Sequence, residues 1–371
     1  MHVLVTADTL GGVWTYAKEL VTGLVKRGVQ VTLVSFGEIP APAQMLWLDG
    51  LRNVDFRPTA FRLEWMQDCE QDLEASAEHL KSIVRETRPD LLHLNQYFYG
   101  ALDVDVPRLV VAHSDVVSWW VAVHGAEPPP TNWSQWYRKV VSRGLGQANA
   151  VAAPTRWMLD AVSEHYGKPA QGAVIYNGRT PALFSPHVTK DNYVVTVGRL
   201  WDSGKQVTLL AQQPDVPQVA YIVGSEQHPE ASLRSNTIYG KTGRSRVHFK
   251  GLQTEAQLRQ LYARASIYVA TSRYEPFGLA PLEAAFSRCA IVCNDIPSLR
   301  EVWGDSALYF APNSGHALSR TLERLGADRE LRLTYGSLTY QRALQRYTAD
   351  RMVDAYLELY RTMLGSGAIA A

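Results

Sequence analysis

Cysteine is scarce in this 371-residue chain: Cys69, Cys289 and Cys293 are the only three, too few and too unevenly spaced for a disulfide framework or a zinc site. Cys289 and Cys293 flank a short apolar run and read as small core residues, which suits a reducing cytosol. An excess of either charge is missing as well. The 37 basic and 36 acidic residues leave a net charge of +1, so no global field points to nucleic acid. No apolar run approaches the length of a membrane span, and Val3-Leu4-Val5 is too short for the core of a secretion signal. Without such a signal the sequon Asn132-Trp133-Ser134 reads as chance. Neither the dinucleotide pattern Gly-x-Gly-x-x-Gly nor a short tandem repeat occurs, which argues against a nicotinamide dehydrogenase and a solenoid.

What is present is a globular balance, 46% hydrophobic and 20% charged, over a length that predicts two domains. Residues 2–6 form an apolar strand that ends at Asp8-Thr9-Leu10-Gly11-Gly12. Val13, Tyr16, Ala17, Leu20, Val21, Leu24 and Val25 then recur at the helical period until Lys26-Arg27-Gly28 stops them, and Val29 to Phe36 is the next strand. Such a βαβ unit implies a parallel sheet with helices on both faces. Further helices are expected over 64–87, 133–144 and 156–166, and strands at 91–94, 107–112, 149–153 and 173–176. Residues 177–191 carry turn residues without periodicity and read as a linker. A second series follows, with strands at 193–197, 219–223, 246–250, 266–270, 289–293 and 307–310 and helices near 205–212, 254–263, 280–287 and 315–327. Amphipathic helices at 329–343 and 348–364 close the chain. The chain is therefore α/β, with two Rossmann-like domains over 1–177 and 190–348, and strand C-terminal ends expected to line a cleft.

The richest stretch is Glu275-Pro276-Phe277-Gly278-Leu279-Ala280-Pro281-Leu282-Glu283, two carboxylates eight positions apart across a glycine-bearing loop that opens a helix. Pro281 suits the first helical turn, so unpaired amides and the positive end of the helix lie between the acids. That arrangement can accept a phosphate on backbone while each carboxylate takes hydroxyls. A diphosphate with a polyol at each end is a nucleotide sugar. The bland alternative is a strand–loop–helix turn with surface acids.

Val197-Gly198-Arg199-Leu200-Trp201-Asp202-Ser203-Gly204-Lys205 resembles a phosphate loop but has one residue too many before Gly204-Lys205, and Gln206 stands where that loop needs Ser or Thr. What remains is an Arg fork and a Lys point charge near a strand end, a suitable diphosphate clamp or else two solvated cations. Gly11-Gly12 lets backbone approach a ligand, or makes a tight turn. His113 ends an apolar strand where cleft residues stand, although a lone histidine is more often structural. Asp103-Val104-Asp105 has the spacing of a metal clamp but lies before a strand, and no metal is assigned. Trp119-Trp120 and Trp133 to Lys139 offer an acceptor face, a membrane-surface contact, or aromatics packed into the first domain.

Together, Asp8 to Gly12, Ala112-His113-Ser114, Asn177-Gly178, Gly198-Arg199-Leu200 with Lys205, Phe249-Lys250-Gly251, Glu275 to Glu283 and Leu299-Arg300-Glu301-Val302 resemble the retaining family 4 glycosyltransferases of the GT-B fold. The resemblance spans almost the whole chain. It implies two Rossmann-like domains whose parallel sheets face across a cleft, with residues 349–371 returning to the first. It implies that Arg199 and Lys205 hold the donor diphosphate, Glu283 takes the ribose hydroxyls, and Glu275 faces the sugar with backbone of Phe277, Gly278 and Leu279. His113 would lie beside the transferred sugar. Gly11, Gly12 and Gly198 would let loops close on the diphosphate, and Lys250, Gly251 and Leu252 would contact the base. The donor would be a UDP-, GDP- or dTDP-sugar and the acceptor a saccharide, lipid-linked or small molecule, with retention of configuration and neither metal nor cofactor. A cytosolic enzyme is implied, with peripheral contact at the inner membrane face and oligomeric state left open.

Two departures stand out. Ser287-Arg288-Cys289-Ala290 lacks the family's turn glycine, so either Arg288 takes positive φ at about 1 kcal/mol or the turn differs. Arg179-Thr180 follows Asn177-Gly178 where many members place an Asp, and reads as linker variation. A sugar-nucleotide 2-epimerase on the same fold and a non-catalytic sugar-nucleotide-binding protein remain as alternatives, separated by donor turnover without an acceptor and by binding without turnover.

Overall fold

The computed structural model describes residues 1–213, 216–226 and 246–367. They fall into two compact units, Met1–Gly178 with the segment from Ala349, and Arg179–Thr348. The first contains β1 (His2–Asp8), α1 (Gly12–Lys26), β2 (Gln30–Phe36), the short α2 (Pro42–Met45), β3 (Val54–Pro58), α3 (Glu70–Thr87), β4 (Leu91–Leu94), β5 (Arg108–Val111), α4 (Val116–His124), α5 (Asn132–Gln147), β6 (Ala150–Ala153), α6 (Arg156–Tyr166) and β7 (Gly172–Val174). The second contains β8 (Asp191–Val197), α7 (Thr208–Ala211), β9 (Val219–Val223), β10 (Val247–Phe249), α8 (Glu255–Arg264), β11 (Ala265–Ala270), α9 (Leu279–Phe286), β12 (Ala290–Asn294), α10 (Pro297–Trp303), β13 (Leu308–Phe310), α11 (Gly315–Ala327) and α12 (Arg329–Arg346). Finally α13 (Ala349–Gly367) belongs to the first unit.

Both sheets are parallel throughout. Their orders are β3-β2-β1-β4-β5-β6-β7 and β10-β9-β8-β11-β12-β13. Each is the doubly wound order, in which the chain runs outward one way from the first strand and then returns to its other side. Helices cover both faces of the first sheet, so its strands are apolar on both sides. Leu4, Leu92, Val110 and Val151 pack with α3, α5 and α6, whereas Val3, Val5, Leu109 and Val111 pack with α1 and α13. Met352, Val353, Tyr356 and Tyr360 of α13 are all buried there, each apolar side chain contributing roughly 1.5–3 kcal/mol. In the second unit Val194, Ile222, Ile267, Val269 and Val292 bury against Leu318, Leu322 and Leu325 of α11.

Several local expectations need correction. The helix expected from 64 begins at Glu70, because Leu63 and Met66 are buried in a loop instead of on a helix face. The helix expected over 205–212 shrinks to α7, since Gly204, Lys205 and Gln206 belong to the loop before it. β3, α4 and α10 lie where no element was expected. α4 reads Val-Val-Ser-Trp-Trp-Val-Ala-Val-His, apolar all round, so no period shows; its caps, Asp115 and Gly125 (φ 73°), are the readable signal. Residues 179–189 are part of the second unit and not a free linker. Arg288 takes positive φ (60°), its guanidinium 4.6 Å above the Tyr340 ring.

Candidate functional site

In a doubly wound sheet the ligand crevice forms where neighbouring strands send their loops in opposite directions. In the second unit that point lies between β8 and β11. The loop after β8 carries Lys205 and the loop after β11 carries Glu275, and their side chains meet at 2.7 Å. Ser272 Oγ donates to the same carboxylate oxygen at 3.0 Å. The two loops are stitched together. Arg273 N donates to Gly204 O at 2.8 Å and Thr271 Oγ1 to Lys205 O at 2.7 Å. Gln206 is buried with positive φ (47°), and its amide bridges Arg273, Asn313 and Thr271, an unusual backbone state that the surroundings enforce.

Arg199 starts the same β8 loop. Its Nη2 lies 2.8 Å from Asp202 Oδ2, and its guanidinium sits 5.1 Å above the Trp201 ring with the side chain 49% exposed. Beside it, a Cβ on Gly198 would only touch the Lys205 stem at 3.5 Å, so packing alone does not demand glycine there. Gly224 is different, and sequence reasoning missed it. Its φ is 146°, a Cβ would overlap Gly198 O at 1.7 Å, and its N donates to Gly251 O at 3.0 Å. A glycine directly after the strand 219–223 was the available signal. Gly251 also has positive φ (63°), Lys250 Nζ lies 4.6 Å over Tyr221, and the Leu252 side chain is exposed.

Gly278 caps α9 with φ 90° and no side-chain cap. A Cβ would meet Pro281 Cγ at 2.7 Å and Glu275 Cγ at 3.2 Å, so glycine brings the Glu275 stem against the helix start. Leu279 is the first helical residue, and Phe277 turns into the core edge-on to Tyr347. Later in α9, Glu283 pairs with Arg179 Nε at 2.9 Å, their side chains 13% and 2% exposed. Arg179 is thus no linker variation. Its backbone N donates to Tyr347 O, it bridges Thr348, and it gives Glu283 a buried cation. An arginine after Asn-Gly carried no signal of that partner, which lies 104 positions on.

In the first unit the corresponding point lies between β1 and β4. Asp8 Oδ1 accepts from Leu10 N at 2.6 Å, and Gly11 is extended with room for a Cβ, so neither it nor Gly12 is held by positive φ. His113 follows β5 half-buried, its Nε2 2.7 Å from Asn95 Oδ1 and its ring edge-on to Tyr16. Burial pushes His113 down to about 3. His93 bridges the Tyr16 and Tyr360 hydroxyls at 3.0 and 2.6 Å, tying α1 and α13 to β4, and burial lowers it to about 3 as well. Glu64, also missed, is buried with Oε1 accepting from Tyr97 N at 2.8 Å, and burial raises its carboxyl to about 7. Asp103 and Asp105 stand exposed before β5, at the opposite end of that strand from His113. Trp133 stacks on Tyr137 and donates to Met66 O, so that helix packs its aromatics inward.

The second unit therefore unites Gly198, Arg199, Lys205, Glu275, Phe277, Gly278, Leu279 and Glu283 on two adjoining loops and the helix that follows, while His113, Gly11 and Gly12 belong to the first. Among the described residues no group of three or more His, Cys, Asp or Glu is arranged to hold a metal, and no helix is long and apolar enough to cross a membrane.

Residues 10–182 match the family model described as Glycosyltransferase Family 4, and residues 184–342 the model described as Glycosyl transferases group 1. O-antigen chain mannosyltransferase C of Escherichia coli is 23% identical over 99% of both chains. Alpha-maltose-1-phosphate synthase of Mycolicibacterium smegmatis is 23% identical over 72% of this chain and 75% of its own. Among solved structures, sucrose-phosphate synthase of Thermosynechococcus elongatus matches with a TM-score of 0.78 and 18% identity, covering 99% of this chain and 100% of that one. Anabaena HepE in complex with UDP-glucose matches with a TM-score of 0.70 and 18% identity, covering 98% and 100%. At such identities these two show the fold.

Proposed function

We propose that this chain, which belongs to the family 4 glycosyltransferases of the GT-B fold, moves a hexosyl-type sugar from a nucleotide-diphosphate sugar to an acceptor hydroxyl, retaining anomeric configuration and without a metal. The observation that carries the reading is the Lys205–Glu275 pair at the β8/β11 switch point, with Arg199 in the same loop and the uncapped start of α9 beside Glu275.

Each part has a role. Breaking the anomeric C–O bond leaves negative charge on the diphosphate and positive charge on the sugar. Arg199, Lys205 and the α9 amides stabilise the first, and the Glu275 carboxylate, on the sugar side of Lys205, stabilises the second. The new C–O bond forms to the acceptor oxygen, whose proton passes to the departing phosphate oxygen on the same face. Glu283 takes the ribose hydroxyls, Lys250 to Leu252 the base, and His113 a sugar hydroxyl. The relatives named as mannosyltransferase and maltose-1-phosphate synthase, and the UDP-glucose complex of HepE, support a hexosyl donor.

A thermal-shift screen of UDP-, GDP- and dTDP-sugars tests donor binding, because a ligand of the native state raises its melting temperature. One class should raise it, and that donor should then turn over with a saccharide or lipid-linked acceptor. No shift with any of the three sinks the reading. Turnover to an epimer without acceptor points instead to the epimerase.

A further inference from the structure

At the end of β4 a short chain of hydrogen bonds determines which nitrogen of His113 carries the proton. Asn95 Nδ2 lies 2.5 Å from the backbone oxygen of Thr6. A carbonyl oxygen only accepts, so the amide nitrogen of Asn95 must face it and the amide oxygen must face the other way. That oxygen is 2.7 Å from His113 Nε2 and likewise only accepts. Nε2 is therefore the protonated nitrogen. Reversing the amide would set two acceptor oxygens against each other at Thr6, which is fully buried, and the backbone N of Asn95 donates to Thr6 Oγ1 at 2.9 Å, keeping the residue beside it.

We propose that Asn95 is a positioning residue that holds His113 as the Nε2–H tautomer, leaving Nδ1 as a hydrogen-bond acceptor for a sugar hydroxyl. The part concerning the sugar rests on the proposed transferase function; the tautomer does not. The ring stays neutral at working pH, since burial lowers His113 to about 3. The titratable groups packed beside it, Tyr16 on α1 and His93 on β4, are neutral too, burial raising the first and lowering the second. A neutral acceptor suits a sugar that gains positive charge in the transition state; an imidazolium there would oppose it. Sequence reasoning marked His113 by its strand-end position and by the family resemblance, and had no means of choosing between its nitrogens.

The test is nitrogen NMR of the full chain labelled at histidine, with the His113 signals identified by their loss in His113→Gln. The expected spectrum is the Nε2–H tautomer, unchanged from pH 5 to pH 8. An Nδ1–H tautomer, or a ring titrating near 6.5, overturns the proposal. Asn95→Asp supplies the second arm. A carboxylate beside Nε2–H stabilises the imidazolium, so His113 should titrate at higher pH than in the wild type. Transfer by this variant should fall about tenfold per pH unit below that new value, because protonated Nδ1 no longer accepts, while wild-type transfer stays flat there. If the ring titrates but transfer does not follow, the tautomer stands and the role of Nδ1 toward the sugar is refuted. Should Asn95→Asp not fold, the wild-type spectrum decides the tautomer and His113→Asn against His113→Gln decides the role. Asn places its oxygen near the Nδ1 position and should keep more transfer than Gln, and the reverse order overturns the role.

Discussion

Replacing Arg179 by alanine is the sharpest test of how the α9 carboxylate is held. The guanidinium is 2% exposed, lies 2.9 Å from Glu283 Oε1 and stands 5.7 Å from the Phe184 ring centroid. Two unit charges about 4 Å apart attract by about 4 kcal/mol at an effective dielectric of about 20. Removing one partner of a buried pair costs about 3–5 kcal/mol, since the remaining charge keeps its desolvation cost without its counterion. For a domain of roughly 150–250 residues, where 1 kcal/mol moves Tm by about 2–4 °C, the second unit should melt about 6–20 °C lower. Calorimetry of Arg179→Ala, Arg179→Met, Glu283→Gln and the charge-free double variant Arg179→Met/Glu283→Gln forms the assay, the last three making the cycle. The double variant should recover most of the loss, because a buried pair exchanged for neutral groups of similar volume is often tolerated. If Arg179→Ala falls less than about 1 kcal/mol, or if the two losses simply add, the pair does not hold the helix as argued.

Three further outcomes are expected. Glu64 ionises near 7 in the fold against 4.5 in the open chain, so it favours folding fully below 4.5 and loses that contribution as pH rises through 7. The loss is about 3 kcal/mol, and urea unfolding of Glu64→Gln from pH 4.5 to pH 7.5 should lack it; an unchanged slope refutes the buried acid. Lys205→Ala should reduce kcat on the order of 10²–10³-fold and also lower the melting temperature, since Glu275 loses its largely buried counterion, and normal donor turnover by this variant would remove the diphosphate clamp. Gly278→Ala forces a side chain into positive φ against Pro281 and Glu275, so stability should fall by about 1–3 kcal/mol and transfer with it; wild-type melting in this variant would contradict the crowding at the helix start.

Where a residue's position follows from the strand–loop–helix alternation, the sequence was enough to place it. The apolar strands and the glycine-marked loop of Glu275 to Glu283 announced a doubly wound sheet, and the second unit has that order. Residues whose role depends on a partner distant in the chain were hidden. Arg179 looked like linker because its partner is on α9, and Gly224 was passed over because Gly198 O, which it must clear, lies in another loop. Asn95 carried no motif at all. Burial explains the rest: Glu64 is a surface residue by composition and a buried acid by packing, and α4 has no polar face to give it a period.

The cations that sequence reasoning set aside for phosphate already have carboxylates. Lys205 is paired with Glu275, and Arg199 with Asp202, each through a contact under 3 Å. A clamp of bare cations would repel itself and attract any anion, whereas two neutralised pairs keep the loops folded without a ligand and keep local charge near zero. A diphosphate must then displace a carboxylate from at least one cation. The exchange at Lys205 frees Glu275 beside the position assigned to the sugar, so binding of the leaving group and exposure of the sugar-facing carboxylate are one event. Arg199 is the more exposed cation, at 49%, and leaves the 4%-exposed Asp202 still accepting from Gly204 N, whereas both members of the Lys205–Glu275 pair are largely buried and cost more to separate. A ligand with one phosphate can exchange only the first. Nucleoside monophosphates should therefore bind more weakly than the diphosphates by more than one phosphate contact is worth, and equal affinity for both would show that the Lys205–Glu275 pair stays closed.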